Sequence, residues 1–78
     1  MSLNKESFEK KLKDNKVVLV DFWAAWCGPC RMLGPVMDDV ENLFPNNVAK
    51  VNVDEEKDLA AKYGIRSLPT VVFFKNGE

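Results

Sequence analysis

The chain has 78 residues, of which 46% are hydrophobic and 29% charged, and its formal net charge is −1. That length predicts a single domain over residues 1–78, and the composition is ordinary for a soluble globular protein. Because lysines and acids are interspersed, charge gives no reason to expect binding to nucleic acid or to a membrane surface. The N-terminus has no signal-like apolar segment and no stretch could span a bilayer, so we expect a cytoplasmic protein.

The first part of the chain predicts a helix and then a buried strand. Asn4 is a good N-cap residue, and Phe8 and Leu12 lie four residues apart on one helical face. Val17–Trp23 is β-branched and apolar on both faces, as expected for the central strand of a mostly parallel sheet. That strand contains one carboxylate, Asp21, where an apolar side chain would be expected.

A long helix is predicted over Cys27–Phe44. Pro29 suits its first turn, whereas Pro35 falls inside the pattern and should kink it. We expect Met32 to pack in or near the core. The predicted apolar positions recur at three- and four-residue spacing and are Leu33, Val36, Met37, Val40, Leu43 and Phe44.

The remaining elements are two strands and a short helix. Val48–Val53 predicts a second buried strand, and Asp54 is a plausible cap for the helix that follows it. Thr70–Lys75 predicts a third strand, and Asn76-Gly77 is a strong hairpin-turn signal. A hairpin turn without its second strand leads us to expect a fragment or a naturally shortened form.

The two cysteines carry the main chemical signal. Cys27 and Cys30 flank Gly28 and Pro29, and the chain has no histidine. A structural zinc site usually needs four Cys or His ligands, so this pair supplies only half of one, and we expect no metal. A structural disulfide would close a very short loop and would tend to be reduced in the cytosol. The spacing therefore favours a redox-active pair.

Two stretches resemble one family. Residues 20–30, VDFWAAWCGPC, closely resemble the active-site signature of thioredoxins, and residues 62–70, KYGIRSLPT, resemble the later proline loop of that family. The resemblance runs in order from Leu3 to Glu78. It implies a thioredoxin-like α/β fold with a central mixed sheet flanked by helices. The first strand would be a stub near residues 1–3, and the fold would be incomplete at the C-terminus, because the family's last strand and last helix do not follow Glu78.

The resemblance implies a protein-disulfide reductase without a bound cofactor. Its substrates would be protein disulfides, and its electrons would come from thioredoxin reductase, a flavin- and NADPH-dependent enzyme. An alternative is a truncated thioredoxin-like fragment that binds partners or exchanges strands with little turnover, for example as a strand-swapped dimer through Thr70–Lys75. A protein-disulfide oxidant is a third reading, but the Gly-Pro dipeptide argues against it.

The resemblance also assigns catalytic roles. Cys27, at the start of a helix that favours negative charge, would be the nucleophile, and Cys30, about one turn further on, would resolve the mixed disulfide. Asp21 would be desolvated, with a raised pKa, and would accept the proton of Cys30; the alternative is an aspartate at a strand edge that reaches water. Lys50 matches the family's lysine near that carboxylate, although it could be an ordinary exposed strand lysine.

A substrate-binding surface is implied around the cysteines. Pro69 matches the family's cis-proline, which would leave the preceding backbone free to pair with an extended substrate. The alternative is a trans-proline that starts a strand. Trp23 could equally be a core residue. The residues expected to contact substrate are Trp26, Gly28, Pro29, Ser67, Leu68 and Pro69.

Overall fold

The computed structural model describes residues 3–78, which form three helices and three strands. In chain order these are α1 (Lys5–Asp14), β1 (Val17–Trp23), α2 (Gly28–Leu43), β2 (Val48–Asn52), α3 (Lys57–Lys62) and β3 (Thr70–Lys75). The order agrees with the sequence prediction, apart from one or two residues at the ends of α2 and β2. No helix in this part of the chain is long and apolar enough to cross a membrane.

The strands form one mixed sheet with β1 in the middle. Its order is β2-β1-β3, with β2 parallel and β3 antiparallel to β1. This confirms the predicted α/β class and the central position of Val17–Trp23. The expected strand remnant at residues 1–3 lies partly outside the described residues, although the Leu3 N–H donates to the Lys50 carbonyl at 3.0 Å.

One side of the sheet, the α1/α3 face, is a closed apolar core. Because side chains alternate along a strand, the even-numbered residues of β1 and β3 point to this side. Aromatic rings pack edge to face across it, with centroids 5.9 Å apart for Phe8 and Phe74 and 5.1 Å apart for Tyr63 and Phe74. The buried members are Phe8, Leu12, Val18, Val20, Phe22, Ala49, Val51, Leu59 and Phe74.

Helix α1 begins with the predicted cap. The Asn4 side chain accepts from the Ser7 N–H at 2.9 Å, and the Ser7 hydroxyl oxygen accepts from the Asn4 N–H at 3.0 Å. This reciprocal pair satisfies two N–H groups that the helix itself cannot bond. Leu3 packs against the same core cluster that contains Phe8, so the chain is anchored just before α1 begins.

The other side of the sheet, the α2 face, is more open. In α2 only Cys30 and Met37 are buried, although a continuous apolar stripe was predicted. Met32 is 81% exposed and Leu43 74% exposed, so the expectation that Met32 packs near the core is wrong. On β3, Phe73 is 60% exposed on this same face. The reason is that no element within residues 3–78 covers these side chains.

The predicted hairpin turn follows β3. Asn76 and Gly77 both have positive φ, 55° and 82°, as a two-residue hairpin turn requires. The backbones of Lys75 and Glu78 exchange two hydrogen bonds, of 3.1 and 3.2 Å. The turn therefore forms at the predicted residues.

Candidate active site

The two cysteines lie at the N-terminus of α2 and form a disulfide. Cys27 is the N-cap residue, and its sulfur accepts a hydrogen bond from the Cys30 N–H at 3.1 Å. The two Cα atoms are 5.2 Å apart, a separation that suits a disulfide. The helix start therefore presents a backbone donor to the Cys27 sulfur, where a negative charge would be stabilised.

Exposure does not distinguish the two cysteines. Cys27 is 4% exposed and Cys30 is 5% exposed, and both lie in a small cluster with Ala24. Trp23 and Leu68 pack against that cluster. Position in the helix, rather than accessibility in this disulfide form, is what separates the two sulfurs.

Asp21 is the only buried charged residue within residues 3–78, at 2% exposure. It lies on β1, the central strand, so the alternative of a strand-edge aspartate reaching water is wrong. Its Oδ1 makes no hydrogen bond to any described protein group. Burial raises the pKa of the Asp21 carboxyl, and the positive charge of Lys50 opposes that effect only in part. The predicted direction of the shift is thus confirmed.

Asp21 and Cys30 share a cavity. Its volume is ≈ 680 Å³, and its walls come from β1, β2 and the first two turns of α2. The charged side chains around it are Asp21, Arg31, Lys50 and Glu55. The buried carboxylate and the second cysteine of the pair therefore line one cavity, as proton transfer between them would require.

Lys50 lies beside Asp21 but bonds to another acid. The two residues are direct partners in the parallel ladder of β1 and β2. The Lys50 ammonium nevertheless donates to the carboxylate of Asp38 on α2. The Lys50 side chain is only 17% exposed, so it is not an ordinary exposed strand lysine. Sequence reasoning did not find Asp38, because nothing in the spacing of a helical aspartate shows which strand lysine it meets.

Three of the six predicted substrate-binding residues line one groove. The peptide bond between Leu68 and Pro69 is cis, as the resemblance implies, which excludes the trans alternative. Trp26, Ser67 and Leu68 line a groove of ≈ 380 Å³. Gly28 and Pro29 are exposed in the first turn of α2, next to Cys27.

Trp26 is 68% exposed but anchored. Its indole Nε1–H donates to Asp54 Oδ2 at 2.9 Å. Asp54 was predicted to cap the next helix, and that prediction is wrong: α3 begins after Glu56, without a side-chain cap. Asp54 instead belongs to the surroundings of the cysteines, because it bonds to the tryptophan that precedes Cys27 in the chain.

Arg31 is another residue that the sequence did not single out. Its Nε and Nη2 both donate to the Ala25 carbonyl, at 3.2 and 2.9 Å. This bidentate contact ties α2 to the loop that precedes Cys27.

Within residues 3–78, no group of three or more His, Cys, Asp or Glu side chains is arranged to hold a metal ion.

A cysteine pair at a helix N-terminus, with a buried acid behind it and a cis-proline loop beside it, suits one type of chemistry. Exchange of a disulfide needs a stabilised thiolate, a second thiol within reach and a place for the proton. The fold and the site therefore define a thiol–disulfide oxidoreductase.

Comparison with known proteins identifies the family. The family model described as thioredoxin matches residues 1–78. The chain is 51% identical over 76 residues to a thioredoxin of Rickettsia bellii, covering 94% of this chain and 72% of that protein. It is 46% identical over 79 residues to a thioredoxin of Alicyclobacillus acidocaldarius, covering 99% of this chain and 75% of that protein.

Solved structures agree with the sequence matches. A thioredoxin of Plasmodium falciparum superposes with a TM-score of 0.89 at 34% identity, covering 96% of this chain and 74% of that one. The chain belongs to the thioredoxin family. It is a thiol–disulfide oxidoreductase with a redox-active Cys27–Cys30 pair, and protein disulfides are the substrates that the family implies.

Proposed function

We propose that the chain reduces protein disulfides with Cys27 as the attacking nucleophile and Cys30 as the resolving thiol. The observation that carries this assignment is the hydrogen bond from the Cys30 N–H to the Cys27 sulfur at the start of α2. A backbone donor and the helix dipole favour the thiolate at the N-cap position. The Cys30 sulfur, inside the helix, has no equivalent donor among the described residues.

The first step forms a mixed disulfide. The Cys27 thiolate attacks one sulfur of the substrate disulfide, and the Cys27–substrate S–S bond forms as the substrate's own S–S bond breaks. The displaced substrate sulfur leaves as a thiolate and takes up a proton. After this step the substrate is bound covalently to Cys27 through one of its two sulfurs, and its other sulfur is a free thiol.

The second step releases the substrate. Cys30 loses its proton, and its thiolate attacks the Cys27 sulfur, forming the Cys27–Cys30 disulfide seen in the structure. The second substrate sulfur leaves as a thiolate and is protonated in turn. Over both steps two electrons pass from the cysteine pair to the substrate; Cys30 gives up one proton, and solvent supplies the other because Cys27 reacts as a thiolate.

Asp21 is the proposed acceptor of the Cys30 proton. It lines the same cavity as Cys30, and its raised pKa brings its basicity closer to that of a thiol than an ordinary carboxylate's would be. Lys50 supplies a positive charge to that cavity, which lowers the pKa of the Asp21 carboxyl and opposes in part the effect of burial.

The groove beside Cys27 is the proposed substrate site. Neither the N–H nor the carbonyl of Leu68 hydrogen-bonds to another group within residues 3–78, so both are open to an extended substrate chain. Trp26, Ser67 and Leu68 would contact its side chains, while Gly28, Pro29 and Pro69 shape the approach to the sulfur. We also propose thioredoxin reductase as the electron donor and the cytoplasm as the compartment, both on the family resemblance alone.

A trapping experiment tests the two cysteine roles. Cys30→Ser should react with a model disulfide such as 5,5′-dithiobis(2-nitrobenzoate) and stop at a stable mixed disulfide on Cys27. Cys27→Ser should react much more slowly, because the remaining Cys30 sulfur lacks a backbone donor that stabilises its thiolate. Insulin reduction with dithiothreitol as the electron source should be lost in both variants. Mass spectrometry locates the adduct, and one that accumulates in Cys27→Ser but not in Cys30→Ser would reverse the assignment.

A second candidate function, association through β3, rests on a different observation. β3 lies at the edge of the described sheet, and Val71 and Phe73 are 41% and 60% exposed. The Asn76 N–H bonds to the Lys16 carbonyl, so, by the alternation of an antiparallel ladder, even-numbered residues of β3 face β1. The backbone groups of Val71 and Phe73 therefore point away from the sheet. Lys75 is the one charged residue of β3 and lies at its end, and the apolar part of such an edge invites pairing with another chain.

A second copy of the chain is the proposed partner at this edge. In an antiparallel pair with Val71 opposite Phe73 of the other copy, both residues use only groups that point outward. Gel filtration over a wide concentration range tests the idea. Phe73→Lys should abolish the dimer, whereas Phe44→Lys, at another exposed phenylalanine off the sheet, should leave it intact. A monomeric parent chain at high concentration contradicts the proposal.

A further inference from the structure

The side chain of Lys50 has two acids within its surroundings and bonds to only one of them. Asp21 is its direct neighbour in the β1–β2 ladder, and both residues line the ≈ 680 Å³ cavity. The Lys50 ammonium is nevertheless not within ion-pair distance of Asp21, and it bonds to Asp38 on α2. Lys50, although it is next to the buried Asp21 in the sheet, is thus bonded to Asp38 on the neighbouring helix.

The two acids differ in environment. Asp21 is 2% exposed with Oδ1 unpartnered, whereas the Asp38 side chain is 60% exposed. An ammonium bonded to an exposed carboxylate is partly neutralised, so Asp21 experiences a nearby dipole rather than a bare positive charge. Without Asp38, the same four-carbon stem would let the ammonium turn toward Asp21.

We propose that Asp38 is a positioning residue, which holds the Lys50 ammonium away from Asp21 and thereby keeps Asp21 a competent proton acceptor. This inference rests on the proposed role of Asp21. The charged groups that line the cavity with Asp21 are Lys50 from β2, Arg31 from α2 and Glu55 from the segment after β2, and Asp38 from α2 bonds to Lys50. On β3, the charged residue that shares the face of Asp21 is Lys75, which pairs with Val17, four residues along β1 from Asp21, whereas Val71 and Phe73 carry no charge.

The test compares two variants that lose the same charge from α2. Asp38→Asn removes the partner of Lys50, and Asp39→Asn removes an adjacent exposed carboxylate that bonds to no described group. The pKa of the Asp21 carboxyl is followed by carbon-13 NMR in the disulfide form, in which neither cysteine titrates. We expect a downward shift in Asp38→Asn and little change in Asp39→Asn. An equal pKa of Asp21 in both variants overturns the proposal.

A Lys50→Met background separates positioning from direct repulsion between the two acids. If Asp38 acts through Lys50, Asp38→Asn should no longer move the pKa of Asp21 once the ammonium is gone. A shift of the same size in that background would show that Asp38 acts by its own charge, and the positioning role would fail.

Kinetics tests the underlying function separately. The release step, measured in single turnover near neutral pH, should slow about two- to tenfold in Asp38→Asn, a part of the roughly 10²–10⁴-fold that a positioned base supplies. The pH at which its rate rises should fall together with the pKa of Asp21. If the pKa shifts and the rate profile does not follow, the positioning role stands and Asp21 is not the proton acceptor.

Discussion

The two faces of the sheet differ in what they bury: the α1/α3 face is apolar, whereas the α2 face contains charged and reactive groups. The α1/α3 face buries aromatic and aliphatic side chains from five elements and leaves no charged group inside. The α2 face holds a buried carboxylate, a disulfide and a cavity with four charged side chains in its lining, and it leaves Phe73 60% exposed. Both faces are made by the same three strands, since successive side chains of β1 point to opposite sides.

The difference separates stability from chemistry. Closely packed apolar side chains contribute most of the favourable free energy of folding, and one face alone can supply much of it. A buried charge without a hydrogen-bond partner costs stability, so Asp21 must be supported by packing elsewhere. We infer that the α1/α3 face stabilises the fold in which the α2 face can hold its destabilising but reactive groups.

The largest expected effect comes from breaking the packed face. Phe8→Ala removes a side chain that is 0% exposed and contacts Tyr63 and Phe74. It should lower the free energy of unfolding by about 3–5 kcal/mol, because the lost burial adds to the cavity left behind. Urea unfolding followed by circular dichroism gives the difference.

Phe73→Ala is the matched control on the other face. Since that ring is already 60% exposed, the loss should stay below about 1 kcal/mol. If both variants lost the same free energy of unfolding, the inference that the α1/α3 face supplies most of the stability would be contradicted.

Neutralising the buried acid should have the next largest effect, and in the opposite direction. The pKa of Asp21 is raised above its ordinary value near 3.8, so the folded state binds the proton more tightly than the unfolded state. Its favourable contribution is complete below that ordinary value and is lost as the pH rises through the folded-state pKa. At alkaline pH the free energy of unfolding of Asp21→Asn should therefore be about 1–3 kcal/mol higher than that of the parent chain.

The pH dependence provides the check on that prediction. Unfolding curves of Asp21→Asn and the parent chain should converge in acid and separate as the pH rises. Slower disulfide reduction should accompany the added stability if Asp21 accepts the proton. A constant difference at every pH would mean that the carboxyl does not titrate with a raised pKa.

The smallest of these effects concerns the helix that covers the packed face. Asn4→Ala removes the side-chain acceptor of the α1 cap, so the Ser7 N–H loses its partner. The expected cost is about 1 kcal/mol. Asn46→Ala, at an exposed asparagine whose side chain makes no described bond, should change the free energy of unfolding by less than about 0.5 kcal/mol. Similar changes in the free energy of unfolding for the two variants would mean that the Asn4 cap does not stabilise the protein.

Local patterns predicted the elements because their causes are local. The β-branched run at Val17–Trp23, the Asn4 cap and the Asn76-Gly77 turn each depend on a few adjacent residues, and all three form as expected. The cysteine spacing likewise set the Cys27–Cys30 disulfide, since one helical turn separates the two sulfurs. Side-chain exposure on α2 was predicted less well. Periodicity shows that Met32 and Leu43 are apolar, but not whether another element covers them.

For this protein the sequence alone determined the order of strands and helices, the redox pair and the presence of one misplaced acid in a central strand. Those features follow from backbone propensity, residue spacing and the cost of burying a charge. Only the tertiary structure decided that Lys50 bonds to Asp38, that Asp54 holds Trp26, and that Asp21 shares a cavity with Cys30. Each of these contacts joins residues from different elements, and their distance depends on how the helices pack on the sheet.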